Sequence, residues 1–158
     1  MPEKLPANAV HVAGVLRELG AQGEIVVLQE KAPTAATAAA QLGCELGAIA
    51  NSLIFDADGA PLLVLTSGAH RVDVELIART AGVARVRRAT PEFVRQATGQ
   101  PIGGVAPVGH PRPVRTLVDT WLAKHDVVWA AGGHPHTVFP TSFDELLRMT
   151  DGASVDVE

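Results

Sequence analysis

The sequence predicts an α+β domain in which short helices flank a mixed, mostly antiparallel β-sheet. Three observations carry that prediction. In "NSLIFDADGAPLLVLTSG", two apolar runs flank Asp58-Gly59, a pair that favours a tight β-hairpin. Several segments of helical spacing begin at a Ser, Thr or Asp and stop at a glycine, the usual punctuation of short helices. Helices and strands alternate along the chain, yet the hairpin supplies an antiparallel pair, which fits a mixed sheet better than a doubly wound parallel one.

In chain order, "PANAVHVAGVLRELG" places Val12, Val15, Leu16 and Leu19 at helical spacing and ends on Gly20. "EIVVLQE" reads as a strand. "TAATAAAQLG" is an alanine-rich helix capped by Thr34 and closed by Gly43, and the hairpin follows it. Asp73 caps "VELIARTAG", Gly82 stops it, and "VARVRR" returns as a strand. In "TPEFVRQATG", Thr90 is the cap, Pro91 fits the first helical position and Gly99 follows the end. "VRTLVD", "VVWAA" and "TVF" read as strands, with "GGHPH" a turn between the last two. "SFDELLRMTDG" is the last helix and "ASVDV" a final edge strand. The sequence has no internal repeat, low-complexity tract or interdomain linker, so residues 1–158 are expected to form a single domain.

Composition bounds the function classes. With 47% hydrophobic and 19% charged residues, the chain is globular rather than disordered. Aromatics make up only 4% and tyrosine is absent, so Ala, Val and Leu must build the core. The opening "MPEKLPANAVHVAGVL" has no leader-like apolar run, and no segment reaches membrane-spanning length without polar residues. The lone Cys44 cannot form an internal disulfide, in agreement with a reducing compartment, and a cytoplasmic protein is expected. The net charge of −4 argues against a generic nucleic-acid binder. Its distribution is uneven: from Arg79 to Lys124 there are eight basic and two acidic residues, and elsewhere five basic and fifteen acidic. This middle segment either forms a basic face for phosphates or scatters its arginines over a solvated surface.

Four groups are candidates for chemistry. The stretch "GQPIGGVAPVGHPRP" holds a G-x-x-x-P spacing, Gly103 to Pro107, with Gly104 beside it. Glycine lets a ligand approach the main chain and proline stiffens the loop, which can offer backbone amides to a carbonyl or simply cross tightly over the sheet. His70, His110, His134 and His136 lie near loop glycines or prolines. A metal site requires at least three converging ligands, and there is no H-E-x-x-H or Cys/His pattern. Cys44 lacks a local feature that lowers its pKa and reads as a small buried thiol. "TSGAHRVD" leaves a strand through Gly68 and enters a helix at Asp73. Its Arg71 either pins a carboxylate or phosphate or pairs with Asp73 or Glu75. Nucleophile elbows around the serines and Walker-type phosphate loops are absent.

Taken together, "ANSLIF", "LLVLTSGAHRVD", "ATPEFVRQATGQPIGGVAPVGH" and "VWAAGGHPHTVF" resemble the YbaK family, the prolyl-tRNA synthetase-associated editing domains, in order and spacing across nearly the whole chain. The resemblance implies a YbaK-like α+β fold and trans-acting hydrolysis of the ester of tRNA carrying a small wrong amino acid (Ala, Ser, Thr or Cys). It makes Gly103 to Pro107 the wall of the aminoacyl pocket. One position departs from the pattern. The family carries a lysine in the first hairpin strand, in contexts like "KSL" or "KTL", where this chain has Asn51. Asparagine can hydrogen-bond an ester carbonyl or ribose hydroxyl but brings no positive charge to an oxyanion.

The resulting expectations place Asn51, Gly103 and Gly104 in the catalytic group. Ser67, Gly68, Arg71, Val105, Ala106, Pro107, His110, His134 and His136 contact substrate, and Arg87, Arg88, Arg112 and Arg115 hold the tRNA. The expected partners are the acceptor end of aminoacyl-tRNA and an aminoacyl-tRNA synthetase. No metal or organic cofactor is expected. The alternative is a catalytically weakened module that binds aminoacyl-tRNA or a small aminoacyl-like ligand.

Overall fold

Asp58 and Gly59 have left-handed backbone, φ 53° and 92°, the geometry of the two-residue turn whose twist matches its flanking strands. They join β2 (Ile49–Ala57) to β3 (Ala60–Ser67), paired antiparallel from Ala57 opposite Ala60 back to Ala50 opposite Ser67. The Asp58 carboxylate accepts the N–H groups of Ala84 and Arg85, tying the hairpin tip to β4 (Val86–Arg88). This is the centre of the fold in the computed structural model, which describes residues 5–32 and 34–158. The first four residues of the stretch read as lacking a leader lie outside the described residues.

The remaining elements are α1 (Ala7–Glu18), β1 (Val26–Val27), α2 (Ala35–Leu42), α3 (Val74–Ala81), α4 (Pro91–Thr98), β5 (Arg115–Asp119), β6 (Val128–Ala131), β7 (Thr137–Thr141), α5 (Phe143–Thr150) and β8 (Ala153–Val155). The strands form one open, mixed sheet in the order β1-β7-β6-β2-β3-β5-β8, with β4 also paired to β2. Pairings of β2 with β6, β3 with β5 and β5 with β8 are parallel, and the other four are antiparallel. A mixed sheet with short flanking helices is the architecture the hairpin and the alternating elements predict.

The caps act as the sequence predicts. Side chains of Thr34, Asp73 and Thr90 accept first-turn N–H groups of α2, α3 and α4, and Gly43, Gly82 and Gly99 end these helices in the left-handed conformation; Ser142, not singled out in the sequence, caps α5 in the same way. Three details differ. At the end of α5 the left-handed residue is Asp151, φ 50°, rather than Gly152. The strand read over "EIVVLQE" shrinks to Val26–Val27, because the edge strand finds partners only at Val138 and Thr137. Single 3-10 turns at Leu46–Ala48 and Thr120–Lys124, too short to show periodicity, precede β2 and follow β5.

Strand alternation sends residues to two apolar layers. Ala50, Ile54, Leu63 and Leu65 pack with Val12 of α1, Val94 of α4, Leu146 of α5 and the loop residues Val105, Ala106 and Val108. Phe55, Leu62 and Val64 pack on the other side with Ile77 of α3. Ile49 meets Ala38 and Ala39 of α2. No helix among the described residues is long and apolar enough to cross a membrane.

Candidate functional site

Opposite β3, the outer edge of β2 is only partly covered. β6 pairs with Ile49 and Ala50, β4 pairs with Phe55 to Ala57, and Asn51 to Ile54 between them have no strand partner on that side among the described residues. Two cavities meet at this gap, and Asn51, Ser52, Leu53, Ile102 and Val105 line both. The first, about 380 Å³, has small apolar walls, with Ala35 and Ala38 from α2, Ala50 from β2 and Ala130 from β6. The second, about 480 Å³, carries Thr66, His70, Arg71 and Arg88. The contrast is chemical: one chamber is mostly apolar, and the other offers cationic and hydrogen-bonding groups.

The Gly/Pro loop reaches the gap because its two ends are pinned. Gln100, 3% exposed, accepts the Ala106 N–H at 2.6 Å through Oε1 and donates to the Val108 carbonyl at 3.2 Å through Nε2. His110 Nε2 donates to the Ala106 carbonyl at 2.8 Å. Ala106 and Pro107 are thereby buried, and the exposed Gly103, φ 88°, turns the chain along the wall of the small cavity. Gly104 presses against the neighbouring turn, where a Cβ would lie 2.7 Å from the carbonyl carbon of His134 and 2.8 Å from the nitrogen of Pro135.

The turn "GGHPH" is itself stitched down. Leu28 and Ala32 donate their N–H groups to the His136 and Pro135 carbonyls, and the His134 carbonyl accepts from Thr137. The His136 N–H donates to His134 Nδ1, so the His134 proton sits on Nε2. Burial, then the neighbouring His136 and Lys31, lower the His134 pKa. Burial also lowers that of His110, against the opposing effect of its bond to Ala106. From this turn Pro135 and Thr137 line the small cavity, while the two histidine rings, 5.5 Å apart, pack beside it.

Other expected site residues separate by position. Asn51, Gly103, Val105, Arg71 and Arg88 line one or both cavities. Ser67 is fully buried: its hydroxyl donates to the Gly47 carbonyl, and its N–H to Asp119. Gly68 sits where a Cβ would meet the Leu46 carbonyl at 2.6 Å. Both shape the turn behind the site rather than its mouth. Arg87 pairs with Asp56 at 3.5 Å on the surface, Arg115 donates to the Ala81 carbonyl at the end of α3, and Arg112 lines a separate groove with Pro111 and Phe93. Of the four arginines assigned to tRNA, Arg88 is the one at the cavities. Cys44 is partly buried, and that burial raises its pKa. Among the described residues no cluster of three or more His, Cys, Asp or Glu is placed to hold a metal ion.

Two features escaped sequence reasoning. Asp119, fully buried, accepts the Ser67 N–H at 2.9 Å, His70 Nδ1–H at 2.8 Å and the Trp121 N–H at 2.9 Å, and so fixes the imidazole that lines the second cavity. The signal available was an aspartate directly after the apolar Leu117 and Val118 at the end of a strand, "RTLVD". Ser52 is the other: its Oγ is the one buried side-chain polar atom among the described residues without a hydrogen-bond partner.

Comparison with known proteins places the chain by sequence and fold. The profile of the aminoacyl-tRNA editing domain matches residues 29–149. A solved structure described as a proposed trans-editing enzyme for prolyl-tRNA synthetase superposes with a TM-score of 0.92 at 38% identity, covering 98% of this chain and 99% of that one. The chain is 33% identical over 93 residues to a proline–tRNA ligase of Nitratidesulfovibrio vulgaris, a match covering 59% of this chain and 16% of the ligase. It is also 27% identical over 130 residues to the uncharacterized protein YwhH of Bacillus subtilis, covering 82% of each.

Proposed function

The chain belongs to the aminoacyl-tRNA editing domain family, and on that premise we propose that it is a trans-acting deacylase that clears tRNA carrying a small amino acid such as Ala, Ser, Thr or Cys. The observation that carries the reading is the pair of cavities joined at Asn51 to Leu53. The alanine-rich chamber takes the aminoacyl side chain, against the small apolar walls of Ala35, Ala38, Ala50 and Ala130. The chamber bearing His70, Arg71 and Arg88 takes the terminal ribose and its phosphate. The ester then lies at the junction, beside Asn51.

Water attacks the ester carbonyl there. Among the described residues neither cavity is lined by an Asp or Glu, and His70 is the one imidazole lining either. The reading therefore leans on positioning, with the free ribose hydroxyl of the substrate assisting the water and the Asn51 amide hydrogen-bonding the ester or ribose. Arginines of the basic middle segment hold the acceptor stem, so binding falls steeply with salt.

Asn51, standing where the resemblance expects lysine, favours a second reading in which the pocket holds aminoacyl-tRNA without turning it over. Deacylation of a panel of misacylated tRNAs by the native protein, Asn51→Ala and Asn51→Lys separates the two. The deacylase reading expects turnover by the native protein and a loss in Asn51→Ala. Binding without turnover by the native protein, with hydrolysis appearing only in Asn51→Lys, establishes the second.

A further inference from the structure

The gap in the β2 edge and the unpartnered hydroxyl converge on one residue. The Gly68 N–H donates to the Ile49 carbonyl at 2.8 Å, so odd-numbered residues of β2 direct their main-chain groups at β3. The alternation turns the N–H and C=O of Ser52 to the opposite edge, between the last residue paired to β6 and the first paired to β4. Its Oγ, sheltered from water, has no partner among the described residues either. The two main-chain groups therefore face the gap with no strand partner among the described residues. Here they sit in the wall common to both cavities.

Resting on the deacylase reading, we propose that the aminoacyl group pairs with Ser52 as a single rung of an antiparallel β-ladder. The Ser52 N–H donates to the ester carbonyl oxygen, and the Ser52 C=O accepts from the α-amine. An α-aminoacyl ester presents its amine and carbonyl with the spacing of the N–H and C=O of a strand residue, so it fits an open rung as a peptide fits a sheet edge. As the water oxygen bonds to the carbonyl carbon, the π electrons move onto the carbonyl oxygen, where the Ser52 N–H meets the growing charge. Collapse re-forms the carbonyl and breaks the bond to the ribose oxygen, which takes up a proton. A free amino acid and an uncharged tRNA leave. A main-chain donor thus serves the oxyanion on a strand where Asn51 carries no charge.

Single-turnover hydrolysis of alanyl, seryl, threonyl and cysteinyl esters of one tRNA by native protein tests this, each beside its deamino counterpart, such as propionyl for alanyl, and each rate taken relative to that ester's spontaneous hydrolysis. The deamino ester keeps the carbonyl but has no amine to donate to the Ser52 C=O, and its acceleration is expected to be about tenfold smaller. Equal acceleration of an aminoacyl ester and its deamino counterpart overturns this inference while leaving the deacylase reading standing. The comparison uses only native protein and does not depend on how a variant folds. Acceleration of none of the aminoacyl esters removes both.

Discussion

Gly104 tests the placement of the loop by a steric argument with little freedom. An alanine Cβ there would lie 2.7 Å from the His134 carbonyl carbon, 2.8 Å from the Pro135 nitrogen and 2.9 Å from the His134 Cα, all backbone atoms that cannot swing aside. Ordinary contact begins near 3.4 Å, so the two loops must separate by about 0.7 Å. Overpacking of this kind costs about 1–3 kcal/mol, and a chain of this length loses roughly 2–4 °C of melting temperature per kcal/mol. Gly104→Ala is therefore expected to melt roughly 2–12 °C below native. Because Gly103 and Val105 line the small cavity, the same displacement moves its wall, and kcat/KM for a misacylated tRNA is expected to fall about 10–100-fold. Thermal unfolding and steady-state deacylation measure the two effects. Gly14→Ala is the control: nothing lies within 4 Å of its Cβ in the middle of α1, and removing a helical glycine there should stabilise by about 0.5–1 kcal/mol. Native melting and native kcat/KM in Gly104→Ala would refute the contact between the two loops and the role given to it.

Gln100→Ala leaves the Ala106 N–H and Val108 C=O without partners inside the fold. A loss of about 1–3 kcal/mol per orphaned group is expected in chemical unfolding, together with faster amide exchange at Ala106. Asp119→Ala strips the Ser67 N–H and His70 of their buried acceptor, with a similar cost per group and weaker binding of aminoacyl-tRNA as His70 loses its orientation. The pKa values of His110 and His134 lie below the ordinary 6.5 in the folded protein. As pH falls through 6.5 the unfolded chain takes up protons first, so the stability tied to both imidazoles is complete above that pH and is lost below it. Melting temperature should drop between pH 7.5 and 5.5, and His110→Gln should flatten the slope. A melting temperature that rises over that interval contradicts the lowered pKa values of the two part-buried imidazoles.

Local chemistry made much of this fold legible in the sequence. Thr34, Asp73 and Thr90 mark helix starts because each can satisfy N–H groups that a helix leaves open, and Asp58-Gly59 marks the hairpin because its turn needs positive φ. Pairing between distant strands carries no such local mark. That β6 and β4 each reach β2 but stop short of Ser52 depends on where two loops run, and the gap at the site depends on that. The glycine-rich loop was readable as a pocket wall through the order of motifs. Its fastening by Gln100 was not, because a buried glutamine looks like any other polar loop residue until its partners six and eight positions away are seen. Histidine and arginine positions misled in the opposite way. Their side chains suit ligands, but Arg115 and His110 are engaged by main-chain carbonyls of the fold itself.

The central claim is that the two joined cavities hydrolyse a small aminoacyl ester. The most direct measurement is release of free amino acid from tRNA charged with Ala, Ser, Thr or Cys, beside tRNA charged with a large residue such as Phe, at equal protein concentration. The account predicts release well above the spontaneous rate for at least one small amino acid and none above it for Phe. Spontaneous rates for every small aminoacyl-tRNA, or release from Phe-tRNA as fast as from the small ones, would contradict it.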